Sequence, residues 1–258
     1  MIPNPMRIVC VGDSLTEGRV SVNYVEILQK RFAREPYLFV NRGAGGDFAY
    51  NVLQRLDRIV ADNPDYVTLL IGTNEANAIL SESSRRLSMR IKHLPTTPTP
   101  QWFRDNLSAV VRRLKERTNA RIALLSVPVI GEDLDSEPIR QAAKGSAIVR
   151  EIATTHDVTY LPLHEQQVDY LRSRNHRPRT RYRGSIPAAT AALQHFVLRR
   201  SLDDIAERRG LLLTIDTIHQ SSQGATIIAD LIAQHLDTMR RASSLQPDRP
   251  DLDRRTGL

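Results

Sequence analysis

A doubly wound α/β fold, a parallel sheet between two layers of helices, is predicted by three features of this chain. Short β-rich runs alternate with longer stretches of helical periodicity, the order a parallel sheet with crossover helices requires. The run Asp65–Ile71 is nearly all apolar and β-branched, as in a central strand covered on both faces. Polar motifs rich in Gly, Asp, Asn and Ser follow several of the strand runs, where a parallel sheet presents reactive groups.

Taken in order, the first strand is Arg7–Val11, and it runs into Gly12-Asp13-Ser14-Leu15-Thr16-Glu17-Gly18. An amphipathic helix, Ser21–Arg34, follows. A serine at this strand end lies beside the positive end of a helix, which places an alcohol next to an anion site. The same turn also reads as a helix cap, because Ser is a favoured N-cap residue. The second strand, Tyr37–Asn41, leads into Asn41-Arg42-Gly43-Ala44-Gly45-Gly46-Asp47 and then a helix over Tyr50–Ala61. The third, Asp65–Ile71, leads into Gly72-Thr73-Asn74-Glu75. Ser81–Pro100 is polar and partly helical, ending as a Pro/Thr loop. Pro100 sits well as a first-turn proline for a helix over Gln101–Thr118. Strands Arg121–Val127 and Val158–Leu161 flank a helix over Glu137–His156.

Leu171–Gly210 breaks the rhythm and reads as an insertion near the active-site face. Its first part holds Arg172, Arg174, Arg177, Arg179, Arg181 and Arg183; an Ala-rich helix follows from Pro187 to about Arg209, with an apolar face to bury. Asp216-Thr217-Ile218-His219 precedes the last helix, Ser222–Arg241. Residues 1–242 are expected to form one domain, and the Pro/Asp/Arg-rich tail 243–258 to be disordered.

Composition bounds the answer further. A chain of 258 residues with 41% hydrophobic content fits one α/β domain with a substantial core. No apolar run nears the ~20 residues of a membrane span. The first residues lack the charged and apolar regions of an export signal, so a cytoplasmic protein is expected, with export of a processed form left open. The single cysteine, Cys10, forbids an internal disulfide and is expected in the core. The net charge of +7 draws on the arginine segment, which reads as a solvated surface or as a contact for an anionic surface or lipid. No nucleic-acid motif accompanies it. The Gly43–Gly46 run lacks dinucleotide spacing, Ser14 is not in a G-x-S-x-G elbow, and no H-E-x-x-H or clustered Cys/His metal site appears.

The strand-end motifs converge on one crevice in a parallel sheet, so a hydroxyl, a glycine-rich backbone, a carboxamide and an Asp/His pair meet there. In this respect the chain resembles the SGNH branch of the GDSL esterase/lipase family. Gly12-Asp13-Ser14-Leu15 matches its first block. Asn41 leading to Gly46 matches the second, and Gly72-Thr73-Asn74 the third, with Glu75 where Asp is usual. Asp216 and His219 match the last, with Gln220 in place of the usual Pro. The resemblance implies a flavodoxin-like three-layer α/β/α sandwich and hydrolysis of a small-molecule carboxylic ester, with no metal or organic cofactor. It implies Ser14 as nucleophile, His219 as base and Asp216 as its partner. The Ser14 and Gly46 N–H groups and the Asn74 amide become the oxyanion hole. Acyl transfer or thioester cleavage with the same triad, or a binding protein on the same fold, are the alternatives.

Overall fold

The computed structural model describes residues 5–184 and 186–244. Five strands, β1 (Met6–Gly12), β2 (Tyr37–Gly43), β3 (Tyr66–Leu70), β4 (Arg121–Leu125) and β5 (Thr159–Leu161), make one all-parallel sheet in the order β2-β1-β3-β4-β5. This is the flavodoxin-like order, with its switch point between β1 and β3. The two faces of the sheet separate by residue parity. Ile8, Cys10, Tyr66, Leu70, Ala123 and Leu125 face one core, and Val9, Val11, Val67, Leu69, Ile122 and Leu124 the other. Both sets are buried, which is why these runs read as continuously apolar.

The helices follow in chain order: α1 (Ser14–Glu17), α2 (Tyr24–Arg31), α3 (Ala49–Gln54), α4 (Leu56–Ala61), α5 (Thr73–Leu80), α6 (Glu82–Ile91), α7 (Pro100–Arg117), α8 (Glu137–Thr155), α9 (Leu163–Ser173), α10 (Ile186–Phe196), α11 (Leu202–Arg209) and α12 (Ser222–Ser244). Residues of α2, α9 and α12 cover the first face; those of α3, α4, α7 and α8 cover the second. The three-layer sandwich is therefore as predicted. Among the described residues no helix is long and apolar enough to cross a membrane.

Several local readings change. The helix expected over Tyr50–Ala61 breaks at Arg55, whose guanidinium reaches back to Asp47 and the Gly12 carbonyl. The Ala-rich helix expected from Pro187 to Arg209 is two helices. Arg199 has a left-handed φ of 51°, and the Ser201 hydroxyl accepts from Asp204 N–H to start α11 anew. The apolar face of α10 buries Ala191 against Ile205 and Ile215, but Leu193, Phe196, Val197 and Leu198 remain exposed. Cys10 is fully buried, and burial pushes its thiol up to about 12. Of the tail expected to be disordered, Ser243 and Ser244 close α12, and 245–258 lie outside the described residues.

Two facing glycines let α1 drop onto the sheet. Gly12 pairs with Gly43 in register. A Cβ on Gly43 would stand 2.0 Å from the Glu17 N, and one on Gly12 would stand 2.4 Å from the Leu70 carbonyl oxygen. Neither obstacle is a flexible side-chain end. At Gly45 the nearest atom is the Glu17 Oε2, at 2.8 Å, which can swing away. Gly43→Ala is therefore expected to cost about 1–3 kcal/mol, as overpacking does, and Gly45→Ala much less. Urea midpoints of the two variants measure this, and equal midpoints would show that α1 yields freely.

Candidate active site

Ser14 is the first residue of α1, directly after β1. The cap is Asp13: its Oδ1 accepts from Leu15 N–H at 3.0 Å. The competing reading of Ser14 as the cap therefore falls to its neighbour. The Ser14 hydroxyl lies 3.0 Å from His219 Nε2. His219 Nδ1 in turn lies 2.7 Å from Asp216 Oδ2. The other Asp216 oxygen accepts from the N–H groups of Ile218, at 3.0 Å, and His219, at 2.8 Å. Asp216 is thus tied to its own loop and to the ring at once. The loop closes through Ile215 N–H to the His219 carbonyl at 2.7 Å, and Thr217 adopts a left-handed φ of 78° within it.

Gln220, standing where proline is usual in the resemblance, is fully buried. Its N–H donates to Ser21 Oγ at 3.0 Å, a bond proline lacks the hydrogen to make. Its carbonyl accepts from Val22 N–H at 2.9 Å, so the loop is stitched to the segment after α1.

Gly46 lies after β2 with a left-handed φ of 72°. Asn41 holds the start of this loop, donating to the Thr16 carbonyl at 2.7 Å and accepting from Gly43 N–H at 2.9 Å. Asp47 anchors its end through Arg55 and Lys92, each at 2.7 Å. Lys92 also donates to the Gly45 carbonyl at 2.7 Å. Among the described residues no protein acceptor takes the backbone N–H of Ser14 or Gly46.

Asn74 lies in the first turn of α5. Its Nδ2 donates to the Asp47 carbonyl at 2.9 Å and to Asp13 Oδ2 at 3.2 Å. Both N–H groups of the amide are engaged within the protein, so the carboxamide links the first two motifs. Glu75, beside it, accepts from Ala49 N–H at 2.7 Å and ties the start of α3 to α5.

Ser14, Gly46, Asn74 and His219 are each partly exposed, whereas Asp13, Asp47, Glu75 and Asp216 are buried. Burial pushes the Asp13 carboxyl up to about 7 and that of Glu75 up to about 8, against their hydrogen bonds. Burial also opposes ionisation of Asp216 and His219. Their mutual attraction outweighs it, holding Asp216 below and His219 above their ordinary values, with Asp13 adding to the lift on His219. Motif reading picked out Ser14, Gly46, Asn74, Asp216 and His219 and gave no role to Asp13, Asp47, Lys92 or Arg55. Asp13 was signalled by its place in the Gly-Asp-Ser turn. Lys92 carried no signal, since it lies far along the chain at the end of α6.

The sequence matches the GDSL-like Lipase/Acylhydrolase family over residues 10–184. None of the curated proteins matches it. Solved structures share the fold at low identity. An acetyl xylan esterase, AlAXEase, is 19% identical with a TM-score of 0.64, covering 90% of this chain and 100% of its own. A catalytic mutant of Axe2, an acetylxylan esterase from Geobacillus stearothermophilus, is 18% identical with a TM-score of 0.64, covering 91% and 95%. LAE5, an alpha/beta hydrolase enzyme from the metagenome of Lake Arreo, Spain, is 19% identical with a TM-score of 0.61, covering 89% and 94%.

The electrostatics predict a titration that needs no substrate. The His219 ring proton, followed by NMR, should titrate above the ordinary ~6.5 of histidine. Both carboxylates favour the imidazolium, so Asp216→Asn should lower the midpoint most and Asp13→Asn less. A midpoint unmoved in Asp216→Asn would mean that the 2.7 Å contact is not an ion pair in solution.

Proposed function

The chain belongs to the GDSL-like Lipase/Acylhydrolase family and is an ester hydrolase, and from that premise we propose that Ser14 is its nucleophile, working through an acyl-serine intermediate. The observation that carries the reading is the chain Ser14 Oγ–His219 Nε2–His219 Nδ1–Asp216, with links of 3.0 and 2.7 Å. A neutral serine hydroxyl is a weak nucleophile and needs a base within hydrogen-bond reach.

In this reading Ser14 Oγ attacks the ester carbonyl carbon while its proton passes to His219 Nε2. Asp216 fixes the ring and stabilises the imidazolium, and the more distant Asp13 carboxylate adds to this. The carbonyl oxygen, now negative, is met by the N–H groups of Ser14 and Gly46. Asn74 shares one of its N–H groups with it as charge develops, loosening a bond to Asp13 or to the Asp47 carbonyl. Collapse breaks the C–O bond, and the alcohol leaves with the proton held on Nε2. Water, deprotonated by His219, attacks the acyl-serine; the acid departs and the proton returns to Ser14.

The substrate is a carboxylic ester of a small molecule. Acetylated xylo-oligosaccharides belong in the first panel tested, alongside p-nitrophenyl esters of graded length, because the structural neighbours include an acetyl xylan esterase and a mutant of an acetylxylan esterase. For an anionic substrate or surface the candidates narrow to Arg177, Arg181 and Arg183, the first two of which line a cavity of about 440 Å³ with Leu171 and Asp133. Other arginines of the segment are already engaged: Arg172 with Asp169, Arg174 over the Tyr170 ring, and Arg179 with the Glu207 carbonyl.

Ser14→Ala should stay folded, lose ester turnover and escape labelling by an organophosphonate; turnover retained in that variant overturns the assignment. Asn74→Ala should lower kcat about 10²–10³-fold with a smaller change in KM, as loss of an oxyanion donor does. A change confined to KM would make Asn74 a binding residue. Activity should fall in acid as His219 takes up a proton, so log kcat/KM should rise with pH with a slope of one below the His219 midpoint. In Asp13→Asn that midpoint should move down, because one of the charges that lift His219 is gone.

A further inference from the structure

The loop bearing Asp216 and His219 is gripped from outside by one buried side chain that no motif points to. Glu132 lies in the segment after β4 and is 1% exposed. Its Oε1 accepts from Leu213 N–H at 2.9 Å, Thr214 N–H at 2.7 Å and Thr214 Oγ1 at 2.8 Å. Its Oε2 accepts from Leu212 N–H at 2.8 Å. The preceding residue, Gly131, with a left-handed φ of 72°, donates its N–H to the Thr217 carbonyl at 2.7 Å. Residues 131 and 132 therefore hold the chain on both sides of Asp216. The remaining side of the carboxylate meets His176 Nε2 at 2.8 Å, a close contact from the arginine-rich segment.

A carboxylate without water requires compensation, and hydrogen bonds to an ionised group are the stronger kind. Glu132 finds its donors in the three residues just before Ile215 and Asp216, and His176 closes its remaining side. The same inserted segment reaches the site's other wall, where Tyr182 Oη donates to Asn77 Oδ1 of α5 at 2.5 Å. We propose that Glu132, backed by His176, is a positioning residue: it sets the Asp216–His219 loop so that the ring reaches Ser14, and residues 174–184 act as its strut. The proposal rests on the reading of Ser14, Asp216 and His219 given above.

Two variants test it, each read by steady-state kinetics and by the low-field NMR proton of His219 Nδ1, which reports the bond to Asp216 without any substrate. Glu132→Gln keeps the shape but sets an amide N–H against a backbone N–H. It should lower kcat up to about 10²-fold, the scale of an ångström-size misplacement, and should move or broaden the low-field signal. Thr214→Val removes one hydroxyl of equal volume, should do the same more weakly, and is rescued by Thr214→Ser. If Glu132→Gln fails to fold, Thr214→Val and its rescue decide. Wild-type kcat and an unmoved signal in the folded variants would overturn the proposal, even with a lowered melting temperature, since Glu132 would then be a stabilising group alone. A wild type that hydrolyses no ester, together with a signal that shifts in the variants, would sink the hydrolase mechanism and leave the positioning role standing.

Discussion

The register of β1 between its two neighbours is the constraint on which the site depends. Gly12 stands level with Gly43 on one side and with Leu70 on the other. Three chains therefore leave the sheet at one height, each into a polar motif. Parallel pairing puts all three exits on the same edge, and the switch of winding direction between β1 and β3 opens a crevice there. The paired glycines let the short helix of Ser14 settle on that edge instead of standing off it. His219 arrives from the far end of the chain, and its loop is fitted to an edge already built.

The supports of this edge are acidic in a chain of net charge +7. An unpaired buried carboxylate is too costly to keep, so each must find donors, find a cation or take up a proton. Asp47 takes two cations, Arg55 and Lys92. Asp216 takes two backbone N–H groups and the imidazole. Asp13 and Glu75 have less, and burial dominates them: their carboxyls rise to about 7 and about 8. Asp13 faces Asn74 and, at longer range, His219, so one buried acid stands between the Asn74 side of the crevice and the His219 side.

The architecture was legible because its signals are local. A strand buried on both faces leaves no polar gaps, and Tyr66–Leu70 shows none but Thr68. The chemical groups were legible too, since each motif directly follows a strand or precedes a helix. What escaped notice depends on groups meeting across the fold. The helix break at Arg55 follows from a guanidinium drawn to Asp47 and the Gly12 carbonyl, and helix propensity alone carries no trace of that. The partners that hold the Asn74 amide, Asp13 and the Asp47 carbonyl, belong to two other loops and leave no local trace. Glu132 is one acid among many in composition, and its place is visible after the segments around 176 and 213 have closed over it. The apolar spacing of α10 suggested a buried face, but α11 turns away at Arg199 and covers little more than Ala191.

The Ser14–His219 hydrogen bond joins residues 205 apart in sequence. Closing a flexible loop of that length costs about 5 kcal/mol of chain entropy, whereas one such bond returns about 1 kcal/mol. The bond is therefore a result of folding and not a cause of it. The sheet from β1 to β4 can assemble around contacts nearer in sequence, but Ser14 meets His219 after α12 docks and Gln220 meets Ser21 and Val22. In a refolding chain, secondary structure and core fluorescence are thus set to recover ahead of reactivity at Ser14, which makes that reactivity a clock for the final long-range closure.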